Sequence, residues 1–264
     1  RALFTAEYVH GPTGIDGADL PPPVTTASAK DAVDFIIEAC LGAGGEGMTL
    51  CPVGPLTNIA SAIAREPTIV PKIREIALMG GGFFEGGNTT PVAEFNIYVD
   101  PDAAAIVFNS GAPITMFPLD VTHKALVLPA DLERIRGIGT PVSAAVAGML
   151  DFYERHDVEK YGFAGAPLHD PCVVAYLIDD SLFSGKECRV EIETDSVAEK
   201  ANLVLSPPHE SLLPLRRRGP RRDLLDDLCR RRPGSQAQQE GQRRRKGQPP
   251  CDSCRIGHAH HFMS

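Results

Sequence analysis

No uninterrupted apolar run in this chain exceeds seven residues, from Cys172 to Ile178. A membrane-spanning helix needs roughly 20, so no membrane partner is expected. No basic-then-apolar leader follows Arg1, so no secretory signal is visible. The chain does not begin with Met and reads as a fragment. No G-K-[ST] phosphate loop occurs. Basic residues are scarce early on: residues 1–200 carry 13 Lys and Arg against 28 Asp and Glu. Such an acidic body argues against nucleic acid as a partner, because neutralising phosphates needs a basic face. It suits a site that holds a cation. Cysteines number seven, an odd count, and Cys40, Cys51, Cys172, Cys188 and Cys229 are scattered singly. Reduced thiols are the expectation, and with them a cytoplasmic location.

What is present fits one large globular domain. The 264 residues are 43% hydrophobic and 23% charged, enough for a real core. Residues 1–28 read as loop, punctuated by Gly11, Pro12, Gly14, Gly17 and a Pro21–Pro23 run. Apolar spacing predicts helices over 29–41, 56–65, 101–109, 141–156 and 171–178, with Asp100-Pro101 and Asp170-Pro171 as capped starts. Short buried-strand candidates fall at 48–53, 75–79, 114–119 and 189–193. Strands alternating with helices predict an α/β fold, doubly wound, with a mainly parallel sheet and helices on both faces. Ligands in such sheets sit at the carboxyl ends of the strands. From about residue 201 the pattern fails. Residues 201–264 carry 13 basic against 6 acidic side chains in an Arg/Gln/Pro-rich context. They read as a largely disordered tail, or as the product of an altered reading frame. The domain is therefore expected over 1–200.

Some patterns carry little. Gly42-Ala-Gly44-Gly-Glu-Gly47 matches G-x-G-x-x-G, but it follows a helix and precedes a strand. That order is wrong for a pyrophosphate on a helix N-terminus. Cys251, Cys254, His258, His260 and His261 have zinc-type donors without zinc-knuckle spacing or a surrounding core. The arginine runs lack interleaved aromatics to stack bases and read as a solvated tail.

Four polar clusters fall at loops or strand ends. His10-Gly-Pro-Thr-Gly-Ile-Asp16-Gly17 suits a mobile loop closing over a ligand, or an ordinary surface loop. From Met79, three glycines lead to Asn88, Glu94, Phe95 and Asn96. Asn and Glu can both donate to and accept from vicinal hydroxyls, and Phe95 could wall the ring of a sugar. His169-Asp170-Pro171 is read either as a capped helix start or, near a cation, as metal ligand and proton donor. Val53-Gly-Pro-Leu-Thr57-Asn58 follows a strand; the Thr57 carbonyl could coordinate a hard cation, or Thr57 could cap the next helix.

Taken together, His10–Gly17, Val53–Ala60, Ala77–Gly82, Asn88–Asp102, Asp120–His123 and His169–Ala175 resemble the inosine-uridine-preferring nucleoside hydrolase family in order and separation. The resemblance covers most of residues 1–195 and implies a doubly wound α/β enzyme that cleaves nucleosides to ribose and free base. It implies a calcium ion held by a carboxylate cluster, with Thr57 supplying a main-chain carbonyl and Asp170 a later carboxylate. Asn88, Glu94 and Asn96 match residues that hold ribose hydroxyls, and Met79 one near the sugar. His169 matches the histidine proposed to protonate the leaving base, and His10 a loop histidine near it. A nucleoside substrate and a homo-oligomeric intact parent are likewise implied.

Two departures shape the expectation for this chain. The family's opening D-x-D-x-x-x-D-D cluster, source of most metal ligands and of the water-activating base, does not occur here; Arg1 begins after its place. The Arg-rich segment also stands where the family has a further strand and closing helix. Weak calcium binding and little hydrolysis are therefore expected. A non-catalytic nucleoside- or ribose-binding relative is the alternative, and an adaptor acting through its Arg-rich tail is a third reading.

Overall fold

The computed structural model describes residues 4–195, 203–206 and 254–259. Its centre is three strands, β1 (Met48–Leu50), β2 (Ile73–Met79) and β3 (Ile114–Phe117), paired in that order and parallel. All of β3 is buried, as is β2 from Ile76 to Met79. Strands covered on both faces read as continuous apolar runs, which is why they stood out in the sequence. A separate two-stranded antiparallel sheet pairs β4 (Leu126–Val127) with β5 (Ala166–Pro167). The main sheet continues through β6 (Phe183–Ile192), β7 (Leu203–Ser206) and β8 (Cys254–Ala259) in the order β1-β2-β3-β8-β6-β7. β8 joins β3 in parallel; its pairing with β6, and that of β6 with β7, are antiparallel.

The helices are α1 (Glu7–His10), α2 (Ala32–Gly42), α3 (Thr57–Arg65), α4 (Phe95–Val99), α5 (Pro101–Phe108), α6 (Leu119–Thr122), α7 (Pro129–Gly137), α8 (Pro141–Tyr161) and α9 (His169–Ile178). On one face of the sheet α2, α3 and α5 bury Val33, Ile59, Ile63 and Val107. On the other, α6 and α9 bury Leu119, Val121, Cys172 and Val173 around Phe117. The expected two-sided, mainly parallel architecture is what the chain adopts. Asp100 starts α5 as its sequence predicts, accepting from Ala103 N at 3.2 Å, with Pro101 at the first helical position.

Two strands, β7 and β8, come from the range read as a tail. Over them the chain pairs with the sheet instead of lying free of it, because β3 and β6 each offer a hydrogen-bonding edge that β8 fills. The remainder of the tail reading, with Cys229, the arginine runs and the zinc-donor candidates Cys251, His260 and His261, lies outside the described residues. Of Cys254 and His258 only the backbone is described. Among the described residues no helix is long and apolar enough to cross a membrane.

Candidate functional site

The carboxyl ends of β1, β2 and β3 are stitched together beyond the strands themselves. Met79 N donates to Pro52 O at 3.1 Å, Gly80 N to Phe117 O at 3.2 Å and Leu119 N to Gly81 O at 2.9 Å. Above these ends opens a cavity of about 870 Å³. It is lined by all nine residues named above as sugar, base or cation contacts: His10, Thr57, Met79, Asn88, Glu94, Phe95, Asn96, His169 and Asp170.

One wall follows the glycine-rich turn after β2. Asn96 is the second residue of α4, and its Nδ2 donates to the Met79 carbonyl at 3.0 Å. The buried Glu94 carboxylate accepts from Gly81 N at 2.8 Å, Asn96 N at 2.9 Å and Ile97 N at 3.3 Å. It thereby caps α4 and pins the turn in one step. Burial pushes its pKa up to about 7, against the pull of those three backbone donors and with a further upward push from Asp170. Asn88 Oδ1 accepts from Phe95 N at 2.8 Å, while Lys160 Nζ donates to the Asn88 carbonyl at 2.6 Å. Phe95 packs on Phe4, ring centroids 5.7 Å apart.

The opposite wall is α8, entered by Thr140, which accepts from Ser143 N at 3.1 Å, and ended by Gly162 at φ +68°. The imidazole of His10 stacks on Tyr153 of α8, 5.4 Å apart and 4° from parallel. Behind it, Gly17 (φ +93°) and Gly148 of α8 touch backbone to backbone; a Cβ on either would strike the other's carbonyl oxygen. Gly148→Ala is therefore expected to lift this loop. Alanine favours the helix by up to about 1 kcal/mol, so thermal stability should hold while limited proteolysis between residues 11 and 24 accelerates several-fold. Unchanged cleavage would show that the glycine contact does not hold the loop.

Between the walls stands His169, at the first turn of α9. Its Nδ1 lies 2.7 Å from Thr122 Oγ1 of α6. Burial first, then the neighbouring His123 and His10, push its pKa down to about 3. The ring is thus uncharged at neutral pH. Asp170 caps nothing: α9 begins one residue before it, with Leu168 at the cap position and no side-chain cap bond. That corrects the capped-start reading of Asp170-Pro171. The carboxyl is instead left in the cavity, where desolvation pushes its pKa up to about 6. The capping alternative for Thr57 is corrected too: α3 has no side-chain cap, and Thr57 Oγ1 donates to Asp100 Oδ2 at 2.8 Å.

A calcium ion takes six to eight oxygen ligands. Thr57, Asp100 and Asp170 all line the cavity, and carboxylate and carbonyl oxygens are the donor types such an ion takes. Among the described residues, however, no group of three or more His, Cys, Asp or Glu gathers to hold a metal.

Some lining residues escaped sequence reading. Tyr153 falls in the apolar stripe of the helix expected over 141–156, and Tyr161 lies beyond that expected end. Tyr161 OH is buried and has no hydrogen-bond partner among the described residues, so it offers a polar handle to a ligand. His123 packs against Tyr161, Phe163 and His169, with Nδ1 3.3 Å from Glu85 Oε2. Its only sequence signal was its place beside Asp120, whose carboxylate accepts from Phe83 N and Phe84 N at 2.8 Å and so shapes the glycine turn.

Comparison with known proteins agrees with this geometry. Residues 1–245 match the family described as inosine-uridine preferring nucleoside hydrolase. The pyrimidine-specific ribonucleoside hydrolase RihA of Shewanella sp. (strain ANA-3) is 50% identical over 197 residues, 74% of this chain and 61% of that protein. RihA of Enterobacter sp. (strain 638) is 49% identical over 195 residues, with 74% and 62% covered. The chain thus spans about three-fifths of these relatives' length. Among solved structures, the purine-preferring ribonucleoside hydrolase from Gardnerella vaginalis superposes with a TM-score of 0.71 at 34% identity, covering 76% of this chain and 63% of that one. The plant nucleoside hydrolase PpNRh1 superposes with a TM-score of 0.73 at 25% identity, covering 96% and 70%.

Proposed function

Because the chain belongs to the inosine-uridine preferring nucleoside hydrolase family, we propose that its cavity binds a ribonucleoside whose N-glycosidic bond the protein cleaves to ribose and free base. The support is one observation: amides, a carboxylate and a histidine from distant stretches of chain line a single cavity at the strand ends.

In this reading Asn88, Glu94 and Asn96 hold the ribose hydroxyls, Met79 lies near the sugar and Phe95 walls it. Breaking the C1′–N bond builds oxocarbenium character on the sugar. The bond's electron pair leaves with the base, which gains a proton, and water supplies the hydroxyl that C1′ acquires. His169 meets the leaving base with a polarising N–H, and His10 on Tyr153 flanks it. Calcium is the ion proposed, with Thr57 and Asp170 giving two of its oxygens; when bound, it would hold ribose hydroxyls and acidify a water. Binding is expected to be weak with the described donors alone. A cytoplasmic setting and a homo-oligomeric assembly complete the proposal.

A second reading, a ribose- or nucleoside-binding relative without catalysis, is favoured by the partial donor set. Calorimetry with ribose and uridine, paired with a ribose-release assay on uridine and inosine, separates the two. Release that grows with added calcium supports hydrolysis. Calcium-independent binding without release supports the second reading, and neither binding nor release overturns both. In either case Asn96→Ala is expected to weaken ribose binding about 10-fold or more, from the loss of hydrogen bonds to sugar hydroxyls. An unchanged Kd would remove Asn96 from the sugar site.

A further inference from the structure

Thr122 is fully buried on α6, and its hydroxyl has one hydrogen-bond partner among the described residues, Nδ1 of His169 at 2.7 Å. A hydroxyl carries one hydrogen, and a buried donor left unpaired is destabilising. Had the ring donated from Nδ1 to Oγ1, the threonine hydrogen would have no acceptor among the described residues. The satisfied arrangement is the reverse one, with the hydroxyl donating to a lone pair on Nδ1. Two further rings lie beside the imidazole. His123 meets it edge-on, centroids 5.7 Å apart, and Tyr153 does so at 6.3 Å. They wall the imidazole.

We propose that Thr122 is a positioning residue whose hydroxyl fixes His169 as the Nε2–H tautomer, so that the ring presents an N–H and not a lone pair to a ligand in the cavity. The inference rests on the nucleoside-hydrolase reading for its purpose. A departing base gathers electron density, which an N–H stabilises and a lone pair repels. The tautomer is a property of the protein alone, because the hydrogen bond on one ring nitrogen decides which form the other takes.

The test is imidazole nitrogen NMR on the full ¹⁵N-labelled chain without ligand, His169 being assigned by its loss in His169→Gln. The expected spectrum shows a neutral ring protonated at Nε2, unchanged in Thr122→Ser and shifted towards the Nδ1–H form in Thr122→Val. A ring protonated at Nδ1 in the unsubstituted chain, a doubly protonated ring, or a Thr122→Val tautomer ratio equal to the parent's overturns the proposal. Should Thr122→Val not fold, the parent and Thr122→Ser spectra still decide it. In ribose release, Thr122→Val is expected to lower kcat about 10-fold with little change in KM, and Thr122→Ser to restore it. Absence of release from every form would overturn the hydrolase reading, while the spectra would still decide the role of Thr122.

Discussion

Replacing Glu94 with alanine is expected to destabilise the protein by about 3–5 kcal/mol, read from denaturant or thermal unfolding. The size follows from what the carboxylate does. It accepts from the backbone of Gly81, Asn96 and Ile97, all buried. Two of these donors are first-turn N–H groups of α4, which have no partner within the helix. Each buried donor stranded by the substitution costs about 1–3 kcal/mol, and a void adds to that. Glu94→Gln keeps one acceptor oxygen but turns an amide N–H towards backbone N–H groups. It should be intermediate, about 1–3 kcal/mol. Loss of less than about 1 kcal/mol in Glu94→Ala would mean that the turn and helix start hold without it. The same substitution should abolish ribose binding, because Gly81 and Asn96 lose their anchor together.

Removing the His169 imidazole is expected to slow ribose release about 100-fold or more at nearly constant KM. That is the usual loss when a preorganised donor to developing charge is deleted. Single-turnover measurement on uridine, with protein in excess and calcium present, gives the rate even where turnover is slow. His169→Ala leaves the sugar-facing amides in place, so ribose binding should change less than threefold. A rate within threefold of the parent would show that the leaving base departs without this ring. Loss of ribose binding in the same variant would show instead that His169 supports the cavity wall.

Much of this was readable before any coordinates. The parallel strands announced themselves because burial on both faces forbids polar residues within them: Ile114–Phe117 has none but Thr115. Asp100-Pro101 opened α5 as read, since an acceptor side chain and a fixed φ suit a first helical turn. The similar Asp170-Pro171 pair misled. The helix starts two residues earlier, at His169, and that shift takes the carboxylate out of the cap position and into the cavity lining. The helix α8 reaches further than expected, to Tyr161, because its last turns are rich in charged residues that break the apolar stripe. With them went Tyr161 and Lys160, which only the tertiary fold swings against the cavity.

By itself the sequence determined the layered α/β architecture, the strand ends as the ligand edge and the residue types available there, since all three follow from local pattern and side-chain chemistry. Only the tertiary structure decided which groups remain free for a ligand. Glu94 is largely occupied by backbone donors, Asp170 caps no helix and lines the cavity, and His169 is neutral and bonded through Nδ1 to Thr122. The reason is that burial and hydrogen-bond partnership are set by elements far apart in the chain, which no local pattern records.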